Sequence, residues 1–416
     1  MFGSTFGRDV ALLISAFLVL AVLMYADDFF PATSVNRAPS TINVPPENIA
    51  PPPVKTASTA SANHIPASWG IPPQLLVHVT REFNDTPLHE IVAWMRDDLH
   101  IDTRLDDQAL EEEGIATDEP MTESAKNEPL YLVLNRICKP LMLDWYERDG
   151  IITITTWIKT DETFKSVTYD VADVMRDGYH PRELMATVLA TSSGLWEVHG
   201  DGEGLINHFD KKISVMQTDR VHCEIADLFE KLRSPARRTF VFDPPQHDVL
   251  RERLNQTISV TFRNVPLNKA VAALSHEAGV ELRIDEMTLE EEGISIDEAV
   301  RYELGPHRLT AVLDAMLDPL ELEFILSNGV VFITTNLKAE ETMRLAVYDV
   351  RDICRSGPEA RSLQRLVMEQ THGLWEIDGD GEGTIAFPKI GVMVVSQNEK
   401  IHDEILELLN RYRSER

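Results

Sequence analysis

Cysteine is scarce in this chain. Three residues in 416, at positions 138, 223 and 354, form no C-x-x-C pair and show no metal-binding spacing. An odd, scattered set builds no disulfide framework, so Cys138, Cys223 and Cys354 are expected to be free thiols, mostly buried. Cations are also short: 39 Lys and Arg stand against 68 Asp and Glu, for a net charge of −29. Binding to phosphate needs clustered basic side chains, so nucleic acid is excluded as a partner. There is no Walker loop, dinucleotide fingerprint or serine-nucleophile motif. These absences argue against an enzyme, and no cofactor is expected.

One long hydrophobic run is present. Residues 10–26, "VALLISAFLVLAVLMYA", carry no charge, with Arg8 before them and Asp27-Asp28 after. As a helix they would span about 25 Å, near the lower limit for a bilayer. The expectation is a signal anchor: residues 1–9 cytoplasmic, 10–26 a single-pass transmembrane helix of the inner (cytoplasmic) membrane, and the bulk of the chain periplasmic. Met24-Tyr25-Ala26 is a poor cleavage site, which favours an uncleaved anchor. Residues 27–75, rich in Pro, Ser, Ala and Thr, cannot bury enough apolar surface to order themselves and read as a disordered linker.

The remainder says nearly everything twice. "GLWEVHGDGEG" at Gly194 returns as "GLWEIDGDGEG" at Gly373, an offset of 179. The same offset joins "LEEEGI" at Leu110 and Leu289, "ITT" at Ile154 and Ile333, and "YDV" at Tyr169 and Tyr348. After the glycine-rich motif the offset slips to 180, placing His222 opposite His402. A duplication of this length predicts two copies of one structural unit. Residues 235–256, with Pro244-Pro245, read as the joint between them.

Each copy divides again. In the second, Leu267, Ala270, Val271, Leu274 and Ala278 fall on one helical face, and "LEFILSNGVVFITT" reads as a hairpin turning at Asn328-Gly329. The half beginning at "YDV" reads β-α-β-β-α, closing with a helix that carries Ile401, Ile405, Leu408, Leu409 and Tyr412. The first half, with "VTFRNVPLNKAVAALSHEAGVELRID" and "GVVFITT", resembles the short N-terminal domain shared by secretins and TonB-dependent receptors. The second, with "YDV" and "HDEILELLNRYR", is similar to the KH-like, ring-building N-domains of secretins. The resemblance implies an α+β fold of small α/β sandwich modules. Secretin/TonB-like modules would occupy 76–160 and 257–338, and KH-like modules 165–234 and 344–416. On this resemblance no counterpart of the secretin pore domain is expected in this sequence.

The glycine-rich motif carries the chemistry-bearing residues. Asp378, Asp380 and Glu382 alternate as at the start of an EF-hand loop, but the twelfth position is Lys389 rather than Glu, and copy one has His199 at the first. A structural reading fits better: Trp196 and Trp375 face a core from a strand, and Asp201-Gly202 and Asp380-Gly381 supply a hairpin turn. Its residues are Trp196, Gly200, Gly202, Gly204, Trp375, Gly379, Gly381 and Gly383. Should the loops bind calcium, Asp378, Asp380, Glu382, Asp201 and Glu203 are the candidates. His222 and His402 each have a Glu two residues on, off a shared helical face, so they read as helix-end hydrogen-bonding groups rather than a zinc pair. KH topology suggests RNA, but its G-x-x-G loop with basic flanks is missing.

The expected function is therefore a non-enzymatic, membrane-tethered scaffold or adaptor with protein partners in the cell envelope, able to form a homo-oligomer. The alternative is a ligand-binding module using the acidic loops for calcium or glycan.

Overall fold

A computed structural model describes residues 65–66, 69–200, 202–303, 305–379 and 381–415. The first copy runs β1 (His78–Pro87), α1 (Leu88–Asp97), β2 (Thr103–Leu105), α2 (Asp107–Glu112), β3 (Pro120–Pro129), α3 (Leu130–Cys138), β4 (Leu143–Arg148), β5 (Ile151–Thr156) and α4 (Trp157–Asp161). It continues through β6 (Lys165–Asp170), α5 (Ala172–Arg176), α6 (Pro181–Thr191), β7 (Leu205–Phe209), β8 (Lys212–Gln217) and α7 (Asp219–Arg233). The joint holds β9 (Thr239–Phe240) and α8 (Pro245–Leu254).

The second copy begins with β10 (Thr257–Ile258), β11 (Phe262–Pro266), α9 (Leu267–Ala278), β12 (Leu282–Ile284), α10 (Glu286–Glu291), β13 (Ala299–Tyr302) and β14 (His307–Arg308). Next come α11 (Leu309–Leu317), β15 (Leu322–Ser327), β16 (Val330–Thr335) and α12 (Asn336–Glu341). It ends with β17 (Arg344–Asp349), α13 (Gly357–Gln370), β18 (Thr384–Lys389), β19 (Val392–Gln397) and α14 (Glu399–Ser414). The described residues outside 195–203 form one compact unit, to which 195–203 do not belong.

The sheets follow from the patterning. β1 pairs antiparallel with β3, and β2 lies parallel to β5, which pairs antiparallel with β4. The three-stranded sheet β12-β16-β15 repeats that arrangement in the second copy. Its hairpin turns at Asn328 and Gly329, with φ of +47° and +79°, the left-handed pair that a two-residue turn needs. On α9 the apolar face, Leu267, Ala270, Val271, Leu274 and Ala278, is buried in the second copy's core, with the helix packed against β12, β11 and β13. Each closing helix starts on a side-chain cap: Thr218 Oγ1 accepts from Val221 N–H, and Asn398 Oδ1 from Ile401 N–H. The later sheets are β6-β8-β7 and β18-β19-β17-β9.

The two copies are joined by buried charge. Arg136, 4% exposed, donates to Glu123, Glu128 and the carbonyl of Asn328 at 3.0, 2.8 and 2.7 Å. Arg283 of the second copy donates to both oxygens of the same Glu123 at 2.8 and 2.7 Å. Further along, Thr384 on β18 donates to the carbonyl of Ala190 on α6 at 2.8 Å, and the Lys389 ammonium lies 4.7 Å over the Tyr179 ring.

One expectation is corrected. No helix among the described residues is long and apolar enough to cross a membrane, so the transmembrane anchor, the single-pass inner-membrane topology and the membrane as a partner are not upheld. Residues 10–26, on which that expectation rested, lie outside the described residues. Within residues 235–256, β9 extends the second copy's last sheet by pairing with β17.

Candidate functional site: the repeated glycine-rich loops

In the second copy the loop leaves α13 where the Glu404 carboxylate accepts the His372 N–H at 2.9 Å. In the first, Glu224 accepts from the N–H and hydroxyl of Ser193 at 2.9 and 2.8 Å. A buried glutamine at the end of the neighbouring sheet then fixes the loop. Gln397, 1% exposed, donates from Nε2 to the Leu374 carbonyl at 2.9 Å, while its Oε1 accepts the Asn398 N–H at 2.9 Å. Trp375 bridges to Gly383, whose N–H donates to the Leu374 carbonyl at 3.1 Å and whose carbonyl accepts from Glu376 N–H at 2.9 Å. The loop thus closes on itself.

The bend differs in position from the expected hairpin. A single 3-10 turn, Glu376–Asp378, ends at Gly379 with φ +77°, and in the first copy Glu197–His199 ends at Gly200 with φ +81°. Gly381 and Gly202 serve a different need. A Cβ on Gly381 would lie 2.4 Å from Leu374 Cβ and 2.7 Å from its carbonyl carbon, and one on Gly202 would meet Leu195 at 2.4 and 2.6 Å. These glycines permit close approach of two backbones. Gly383 likewise makes room for Gln397. Gly204 is buried at the start of β7.

Trp375, 2% exposed, sits in the core with Tyr348, Val367 and Ile401, and Trp196 is 1% exposed. The neighbouring apolar residues do the opposite. Leu374 and Ile377 are 46% and 56% exposed, and their counterparts Leu195 and Val198 are 47% and 58% exposed. Glu376, Glu382, Glu197 and Glu203 are exposed beside them. Each loop therefore presents two apolar side chains within an acidic rim.

Asp201 and Asp380 lie outside the described residues, as does the side chain of Asp378. Among the described residues no group of three or more His, Cys, Asp or Glu gathers as a metal site. His222 and His402 are structural: Nδ1 of each meets the hydroxyl of Tyr169 or Tyr348 at 2.8 Å, and Nε2 donates to the carbonyl of Lys165 or Arg344 at 2.9 or 2.8 Å. Burial lowers His402 to about 4, against the pull of the Arg344 carbonyl. Cys138 and Cys354 are buried free thiols, and Cys223 donates to the Trp69 carbonyl. A cavity of about 190 Å³ beside Arg104, Asp106 and Thr153 holds no reactive pair, since Arg104 is bonded to Thr153 and Asp106 to Thr155.

Sequence reasoning missed Gln217 and Gln397, although both end a strand at the offset of 180. It also missed the joint's charge cluster. There the Asp243 side chain, 7% exposed, accepts from His247 at 2.6 Å, Arg251 at 2.6 Å and Arg344 at 3.1 Å.

No family model matches the chain, and no curated protein does. Solved structures that match include "Structure of XcpQN012", at 10% identity, covering 59% of this chain and 98% of that one, with a TM-score of 0.18. Also similar is the N-terminal domain of the secretin XcpQ from Pseudomonas aeruginosa, at 8% identity, covering 81% and 99%, with a TM-score of 0.16. A dimeric cysteine mutant of that domain matches at 6% identity, covering 80% and 99%, with a TM-score of 0.17.

Proposed function

We propose that this chain is a non-enzymatic scaffold that acts by protein–protein contact, with the two glycine-rich loops as its docking points. The observation that carries the reading is the repeated exposure of Leu195 with Val198 and of Leu374 with Ile377. Apolar side chains held out by a backbone closed on itself lose little entropy on docking, which favours contact with another protein surface. The acidic rim selects an apolar surface bordered by basic groups. Two docking points on one chain let a partner with two such surfaces gain from effective concentration. Self-association is one form of this contact.

The test is the solution mass of the full chain by light scattering, with calcium and with chelator. The comparison is a variant carrying Leu195→Ser, Val198→Ser, Leu374→Ser and Ile377→Ser. A wild-type mass above the 46.9 kDa of one chain, falling to that value in the variant with unchanged circular dichroism, supports the reading. A mass that follows calcium overturns it in favour of a ligand-binding module. A wild-type monomer removes self-association and leaves a different protein as the partner.

A further inference from the structure

One repeated surface is filled in the second copy and open in the first. In the second copy β12 lies parallel to β16, and Arg283 and Asp285 stand at its end. Arg283 donates to both oxygens of Glu123 at 2.8 and 2.7 Å and to the Ser124 carbonyl at 2.9 Å. The Lys139 ammonium lies 3.8 Å from the Asp285 carboxylate and 5.3 Å from the centre of the Phe332 ring. What docks there comes from the first copy: a carboxylate, the carbonyl that follows it along the chain, and an ammonium.

The repeat offset of 179 places Arg104, Asp106 and Thr153 at the positions of Arg283, Asp285 and Phe332. The strand register is shared as well: Arg104 stands beside Thr153 across β2 and β5, as Arg283 stands beside Phe332. In the first copy a cavity of about 190 Å³ opens between Arg104, Leu105, Asp106, Asp107 and Thr153. Arg104 is exposed, and its Nε donates to Thr153 Oγ1 at 3.1 Å. Among the described residues no carboxylate forms an ion pair with it.

We propose that the Arg104–Asp106 cavity is a docking site for an extended segment of a different protein, one that presents a carboxylate with a basic side chain close by. The internal contact supplies the chemistry. A guanidinium takes a carboxylate in two parallel bonds, and Thr153 holds Arg104 through Nε, which leaves the terminal nitrogens for the incoming group. Asp106 and Asp107 line the same cavity and repel a lone carboxylate, so an adjoining cation is needed to offset them, as Lys139 does beside Asp285. The chain carries no second set of the groups that fill this surface. At the positions of Glu123 and Lys139 the second copy has Tyr302, 3% exposed in its own core, and Asp318. A second copy of this chain offers neither the carboxylate nor the ammonium there, which makes the occupant a protein of different sequence. This inference does not depend on the glycine-rich loops.

The test uses the full chain and the peptide acetyl-Thr-Glu-Ser-Ala-Lys-amide, which carries the Glu-Ser step that Arg283 binds and an ammonium further along. The readout is the Arg104 Nε–H signal in nitrogen–proton correlation spectra, assigned by its loss in Arg104→Lys. A saturable shift is expected, at least about fivefold weaker in affinity when the peptide's Glu is replaced by Gln, and likewise in Asp106→Asn, which keeps the α2 cap on Ala109 N–H. The Arg283 signal, whose site is filled, should stay still. Absence of a saturable shift overturns the proposal, and so does equal binding of the Gln peptide. Equal movement of the Arg104 and Arg283 signals overturns it in favour of non-specific ion binding. Free glutamate that binds as tightly as the peptide makes the cavity a small-molecule site instead. A shift that appears on raising protein concentration with no peptide present assigns the cavity to a second copy and also overturns it.

Discussion

At position 381 the side chain that is missing matters more than its neighbours. Gly381→Ala drives a Cβ into Leu374 at 2.4 Å, where both partners belong to a closed loop and cannot move apart without breaking it. Gly379→Ala meets open space and adds only the strain of a positive φ. The expected losses of unfolding free energy are about 2–3 kcal/mol for Gly381→Ala and about 1 kcal/mol for Gly379→Ala. Urea unfolding of the two variants checks the order, and equal losses would show that close approach is not what fixes the loop. The sequence shows that these glycines recur, and that their tryptophan alternates with polar neighbours. It does not show which glycine is needed for φ and which for volume, because both needs are written with the same residue. Gln397 was illegible for a related reason: one polar residue after an apolar strand reads as the strand's end.

Among the elements, β9 was the least legible. A strand of two residues is too short for alternation to be read, and Pro244-Pro245 beside it reads as a boundary. The long amphipathic elements were legible, since a face such as Leu267 to Ala278 declares its period over three turns. Phe240 gives β9 its anchor. Its ring meets His402 edge-on at 5.2 Å, with the Arg251 and Arg238 guanidinium groups 4.2 and 4.9 Å from its centroid. Phe240→Ala removes the ring and leaves Arg251 over a void. A loss of about 3 kcal/mol is expected in urea unfolding, with faster hydrogen exchange at Val347 and Asp349. Unchanged exchange there would mean that β9 stays paired through its backbone alone.

For the whole molecule, acid should weaken the fold. Burial lowers His222, His247 and His402, the last to about 4, while an unfolded histidine titrates near 6.5. The unfolded chain therefore takes up protons first, so stability is fully present above about pH 6.5 and falls as pH drops toward about 4. Geometry points the same way at His247. Its Nε2 accepts the Gly329 N–H at 3.0 Å, and protonation would turn that acceptor into a second donor. The groups facing it are Asp243, Arg251 and Arg344, with Glu399 bonded to Arg251 at 2.6 Å. Burial acts to raise Asp243, but Arg344, His247 and Arg251 outweigh it and hold the carboxyl well below its usual range, so its contribution is lost only in stronger acid. Three carboxyls oppose the trend: burial raises Asp144 and Asp161, and burial with Glu323 pushes exposed Asp314 up to about 6, which favours the folded state slightly as pH falls. His402, fully buried, contributes on the order of 2–3 kcal/mol of the loss. Urea unfolding at pH 7.5, 6, 5 and 4.5 should show a steady decline in wild type. His402→Gln should start lower and decline less over the same range, because the hydrogen bonds are weakened but the proton uptake is gone. A wild-type stability that stayed level from pH 7.5 to 5 would mean that these histidines are protonated in the folded chain, and that the joint between the copies is open to water.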